Sequence, residues 1–243
     1  MQEPDIDIEV IERMKEPVPE LLRDAPDGEV RAVVFYPDER LAQVSEEVTP
    51  AFFGEELDKL VSDMATTMYM TGGMGLSAIQ VGVPLRVFIC DITAMGGQVP
   101  RGMPQNQLLV AVNPSVAIPE DAKTTKHMEG CLSFPGVHEV VERPDDVILR
   151  ARDRKGNVYT LSTGGAQGRV ILHEMDHLDG KTFLDRMKPL ARANAEKGIA
   201  QFHRAVDRGS IRVGGPGPKE TKPAPSAAAR KRARKKRKKS KRR

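Results

Sequence analysis

From about residue 31 onward, the alternation of apolar and polar positions resolves into separate elements. Leu57, Leu60, Val61, Met64 and Met68 recur at i, i+3, i+4, i+7 and i+11 within VTPAFFGEELDKLVSDMATTMYMTGG. That spacing predicts an amphipathic helix which ends before Gly72-Gly73, with its methionines as core packing. Upstream, RAVVFYPDERL predicts a short strand that stops at a turn on Pro37-Asp38. Downstream of the glycines, LRVFICDI, LLVAVNPSVAI, VHEVVERPDDVILRARD and NVYTLST read as strands, and Asp153 to Asn157 forms a hairpin signal between the last two. GGAQGRVILHEMDHLDG then returns to helical spacing, and MKPLARANAEKGIAQFHRAVDRG predicts a final helix. Strands in succession flanked by helices indicate an α+β fold, with small mixed or antiparallel β-sheets around a helix, and not a wound parallel sheet.

The two ends of the chain do not follow this pattern. Residues 1–30 hold ten Asp or Glu against three basic residues, with prolines at 4, 17, 19 and 26, and read as an acidic extension in which IEVIERM could form a short helix. A catalytic domain is expected over residues 31–209. Residues 210–229 have the Pro, Gly and Ala content of a linker, and residues 230–243, RKRARKKRKKSKRR, read as a disordered basic tail. Twelve of the 38 Lys and Arg lie in that tail with no acid among them, so the preceding 229 residues carry a formal charge of −8. The basic balance therefore belongs to the tail and not to the domain surface. No internal repeat is present.

Composition excludes some classes of protein. With 39% hydrophobic and 30% charged residues, the chain has no apolar run long enough to span a bilayer, and no membrane association is expected. MQEPDIDIEVIERMKEP lacks both a secretory apolar core and the Arg-rich, acid-poor character of a transit peptide, which points to the cytoplasm. Two cysteines, Cys90 and Cys131, make no disulfide framework.

The segment HEMDHLDG, residues 173–180, carries candidate chemistry. Four helical residues turn through about 400°, so His173 and His177 share one face and two nitrogens can meet one ion. Glu174 is rotated about 100° from His173, which makes it a poor ligand but lets it reach a water on the same ion. HExxH occurs by chance in charged helices. Here, however, the histidines sit among Val170, Ile171, Leu172, Met175 and Leu178, where unpaired polar groups are costly unless a partner such as a metal satisfies them. Asp176 is a candidate acceptor for fixing an imidazole tautomer. A catalytic site needs a third protein ligand, and His127, His138, Cys90, Cys131 and several carboxylates are available. Cys90, inside the apolar VFICDI, is most simply a small buried hydrophobe. Cys131, between Gly130 and the turn-prone Pro135-Gly136, is placed where a thiolate could approach an ion.

Three stretches, GMGLSAIQVG (residues 73–82), EGCLSFPG (129–136) and HEMDHLDG (173–180), closely resemble in order, spacing and wording the three signature motifs of the peptide deformylases. The resemblance runs from about Arg31 to about Pro189. It implies a deformylase-like α+β fold with HExxH on its central helix, and a hydrolase that removes the N-formyl group from the N-terminal formylmethionine of nascent polypeptides and releases formate. By resemblance the metal ligands are Cys131, His173 and His177. Hydroxide generated at the ion attacks the formyl carbon, with Glu174 as general acid/base. Gln80 and the backbone N–H of Leu132 polarise the formyl oxygen. Gly75, Met74, Val170 and Gly130 contact substrate, with His127 a further candidate for the side-chain pocket wall. Glu129 pairs with Arg143 to orient the ligand loop.

One thiolate and two imidazoles suit Fe(II), Zn(II), Ni(II) or Co(II), and among these the resemblance implies Fe(II). Ser77 stands where the family often has alanine, and Leu172 where glutamine is common. Neither position is expected to carry the chemistry. The tail has no aromatic residue to stack on bases. Its physical offer is counterion release from phosphate, so ribosomal RNA is its expected partner. A monomer is expected. A different HExxH peptidase and a non-catalytic ribosome or RNA-binding protein are the competing readings.

Overall fold

The computed structural model describes residues 28–91 and 108–208. The acidic extension up to residue 27, the linker and the basic tail lie outside the described residues. Seven strands are present among those described: β1 (Gly75–Ser77), β2 (Val87–Asp91), β3 (Leu108–Ala117), β4 (Thr124–Gly130), β5 (His138–Pro144), β6 (Asp146–Arg152) and β7 (Val158–Gly164). Three α-helices accompany them, α1 (Glu55–Met70), α2 (Gly165–Leu178) and α3 (Pro189–Asp207). All strand pairings within the sheets are antiparallel. A five-stranded sheet runs in the order β1-β2-β3-β6-β7, and β4 and β5 form a separate two-stranded sheet.

The central strands are apolar at nearly every position because both faces of the large sheet are covered. Val87 and Ile89 of β2, with Leu108, Val110 and Val112 of β3, pack with the Leu57, Leu60, Val61, Met64 and Met68 stripe of α1. The intervening Phe88 and Cys90, with Leu109 and Ala111, face α2 on the other side, against Ile171, Met175 and Leu178. Period-two alternation along the strands thus builds two cores from one sheet. A third cluster, centred on Phe134, Val141, Phe183 and Ile199, ties the small sheet to α3. α2 touches both sheets, which makes it the central element. Its end is fixed by sequence: Gly180 takes a left-handed φ of 67°, Lys181 N–H bonds to Asp176 O and Gly180 N–H to His177 O. That pattern is a Schellman cap, which glycine adopts without steric cost.

The predicted α+β architecture matches, with three differences of detail. Residues 31–36 run extended but join no sheet: Arg31 N–H bonds to the Thr67 hydroxyl, Val34 N–H to Gln80 O and Tyr36 N–H to Ser133 O. The helical signal that began at Val48 starts at Glu55, after a separate 3-10 turn at Pro50–Phe52. The run VHEVVERPDDVILRARD divides into β5 and β6, which belong to different sheets, and the short β1 and the polar β4 carried no apolar alternation to announce them. Among the described residues no helix is long and apolar enough to cross a membrane.

Candidate metal centre

α2 presents His173 and His177 on one face with ring centroids 5.1 Å apart. Cys131, the first residue after β4, meets them: its Sγ is 3.2 Å from His177 Nε2. One ligand atom from each of Cys131, His173 and His177 lies within 4.8 Å of the others, the one such group among the described residues. Of the candidate third ligands, Cys90 is fully buried in the β2 core, its thiol pushed well up by that burial. His127 is exposed on β4 opposite Val141, and His138 packs against Gly130 across the small sheet.

Charged partners hold the centre in place. Glu129, 6% exposed, accepts two hydrogen bonds from Arg143 (Nε at 2.7 Å, Nη2 at 3.0 Å), one from Arg169 Nη1 at 2.7 Å, and contacts His173 Nδ1 at 3.1 Å. Burial alone would raise the Glu129 pKa, but the hydrogen bonds from His173 and Arg143 outweigh it and bring it down to about 2. An ionised Glu129 fixes the proton on Nδ1 of His173 and turns Nε2 toward the thiol. Burial also disfavours charge on His173, yet the hydrogen bonds to Cys131 and Glu129 prevail and push it up to about 10. An ion bound here takes the place of that proton, because imidazole ligates a metal only in its neutral form. His177, by contrast, is driven well below its ordinary pKa by burial and by the neighbouring His173 and Arg143 charges, so its imidazole is neutral. One thiol and two imidazoles, with no fourth donor grouped with them among the described residues, fit a catalytic metal that keeps an open position.

Asp176 does not fill the role expected of it. Its carboxylate bonds to Arg143 Nη1 at 2.7 Å and to Arg186 Nε at 3.1 Å, and two guanidiniums outcompete an imidazole for it. Glu129 supplies the imidazole acceptor instead. Arg169 and Arg186 were missed in the sequence. Arg169 could have been found by the argument applied to the histidines, as a charged residue in an apolar helix one turn before His173.

Glu174 is 3% exposed, and burial raises its pKa against the opposing pull of His173 and Ser77. Gly75 lies against it: a Cβ at that position would collide with Glu174 Oε1 and come within 2.8 Å of Val170 Cγ1. Ser77, fully buried, donates to Glu174 Oε2 at 2.6 Å. The sequence reading had set this residue aside as chemically silent. Gln80 is locked in one orientation, because Ser77 N–H donates to its Oε1 at 2.9 Å. The amide nitrogen therefore points to Ser133 Oγ at 3.1 Å and Cys131 Sγ at 3.4 Å. Leu132 follows Cys131 in the loop, with its side chain against Gly73. Val170 is half-buried one turn before His173, while Met74 is 48% exposed.

The sequence profile of the polypeptide deformylases matches residues 30–193. The chain belongs to the peptide deformylase family. It is 36% identical over 173 residues to a peptide deformylase of Cellvibrio japonicus, covering 71% of this chain and 95% of that one. Among solved structures, a peptide deformylase from Legionella pneumophila superposes with a TM-score of 0.64 at 34% identity, covering 74% of this chain and 98% of that one. The Ehrlichia chaffeensis peptide deformylase in complex with actinonin gives 0.64 at 31% identity, with 72% and 99% coverage. The activity of the family is the metal-dependent hydrolytic removal of N-formyl groups.

Proposed function

We propose that Cys131, His173 and His177 hold one divalent ion, Fe(II) in the working enzyme with Zn(II), Ni(II) or Co(II) as substitutes, and that the substrate is the formylmethionine terminus of nascent polypeptides. The observation that carries this reading is the convergence of the three donors beside a buried, hydrogen-bonded Glu174. When bound, the ion supplies Lewis-acid activation of water and of the formyl oxygen.

The chain's own residues do the rest. Glu174, its pKa raised by burial, accepts the proton from the attacking water and returns it to the leaving amine, so one carboxylate serves both transfers. The Gln80 amide N–H and the Leu132 backbone N–H stabilise the negative charge that develops on the formyl oxygen, each donor of this kind being worth roughly 3 kcal/mol. Gly75 and Gly130 give the peptide room to lie close to the main chain, and Val170, Met74 and His127 wall the methionine side chain. The Glu129 and Arg143 pair, with Arg169, holds the ligand geometry without touching substrate.

Residues 31–209 form the catalytic unit, monomeric and cytoplasmic, and residues 210–229 tether the basic tail of residues 230–243 to it. The tail docks on ribosomal RNA, which places the centre where formylated chains emerge. Formate release from formyl-Met-Ala-Ser, with bound metal quantified, tests the reaction. Turnover is expected in the parent and is expected to vanish in Glu174→Ala with its metal retained. A metal-loaded parent with no turnover would overturn the reading.

A further inference from the structure

Ser77 reaches Glu174 from 97 residues away in the chain, with its hydroxyl 2.6 Å from Oε2 and 3.1 Å from the main-chain oxygen of the same residue. The serine is fully buried at the end of β1, where its backbone is held twice. It pairs with Phe88 across the sheet, and its N–H is bound to Gln80 Oε1 at 2.9 Å. One short stretch therefore anchors both the amide donor and the proton carrier. The other oxygen of the carboxylate it holds, Oε1, lies against Gly75. A glutamate has three rotatable side-chain bonds, and burial alone does not choose among its rotamers.

We propose that Ser77 is a positioning residue for Glu174: its hydroxyl donates to Oε2 and so fixes the direction of the carboxylate, leaving proton transfer to Oε1, the oxygen lying against Gly75. This rests on Glu174 being the proton carrier. Without the hydroxyl, the carboxylate keeps its burial and its fold but loses its fixed direction, and misplacement of a catalytic group slows the chemical step more than it weakens binding. The expected loss is in kcat, with KM preserved.

The test is a cycle of the parent, Ser77→Ala, Glu174→Ala and the double variant, all nickel-loaded and followed under single-turnover conditions so that slow proteins are still read. Ser77→Ala is expected to lower the chemical rate about tenfold, the scale of one hydrogen bond to a charged group, with KM and metal content unchanged. In the Glu174→Ala background the same substitution is expected to have no further effect. A crystal structure of nickel-loaded Ser77→Ala is expected to show the Glu174 carboxylate spread over more than one rotamer. Parental rate in Ser77→Ala, equal losses in both backgrounds, or an unmoved single rotamer would each overturn the proposal. Should Ser77→Ala not fold, Ser77→Cys, similar in size and a poor donor, carries the same comparison. Glu174→Ala at parental rate would instead overturn the role given to Glu174, whatever Ser77→Ala does.

Discussion

A methyl group at position 75 would meet Glu174 Oε1 and Val170 Cγ1 at once, and the end of the longer, more flexible glutamate side chain is the part that can give way. Gly75→Ala is therefore expected to fold, since the residue lies at the start of a short edge strand, yet to lose at least tenfold in kcat/KM by displacing the carboxylate. Formate release alongside a thermal melt checks this, and parental activity would refute it. At this scale the sequence was informative where chemistry is tied to residue type. His173, Glu174 and His177 declared themselves by helical spacing, whereas Cys131, preferred over the apolar-strand Cys90, could not be chosen over a histidine or a carboxylate until the motifs were compared with a family. Glu129 keeps its expected Arg143 and gains His173, while Asp176 is taken by Arg143 and Arg186, because spacing along a helix does not tell which guanidinium will arrive from elsewhere in the fold. Ser77 carried no signal in the sequence because its partner, Glu174, faces it across the fold.

Between elements, burial patterns were legible and pairings were not. The stripe on α1 and the continuous apolar runs of β2 and β3 predicted a covered sheet, while RAVVFY looked like a strand although its backbone bonds go to α1, a 3-10 turn and a loop. What fixes that segment is Asp63 on α1. Its side chain is 2% exposed and receives Glu29 N–H at 2.8 Å and the Arg31 guanidinium at 2.8 and 3.0 Å. Burial alone would raise the Asp63 pKa, but these hydrogen bonds and that of Lys59 lower it below its ordinary 3.8. A carboxyl whose pKa is depressed by folding stabilises the native state above its unfolded pKa and loses that contribution as pH falls through the folded value. Asp63→Asn is thus expected to destabilise the protein by about 1–3 kcal/mol at neutral pH. The difference from the parent should shrink as pH drops below about 4. Urea unfolding at several pH values would show this, and a gap that widened toward acid would contradict it.

At the scale of the whole molecule, charge is divided between a domain side of −8 and a tail of twelve cations. If the tail is a docking device for RNA, removing residues 230–243 should leave formate release from a tripeptide unchanged, because none of the residues assigned to the centre or bonded around it lies beyond Arg186. Association with ribosomes, in contrast, should fall sharply in the truncated chain. In the full chain, the logarithm of affinity for single-stranded RNA should decline with the logarithm of salt at about 0.7 per phosphate neutralised. Without an aromatic residue in the tail, that slope should be the same for RNAs of different sequence. Sedimentation with ribosomes across a salt series measures both quantities on one preparation. Association that ignored salt would remove the tail from the mechanism and leave the centre standing, since the two rest on separate residues and separate physics.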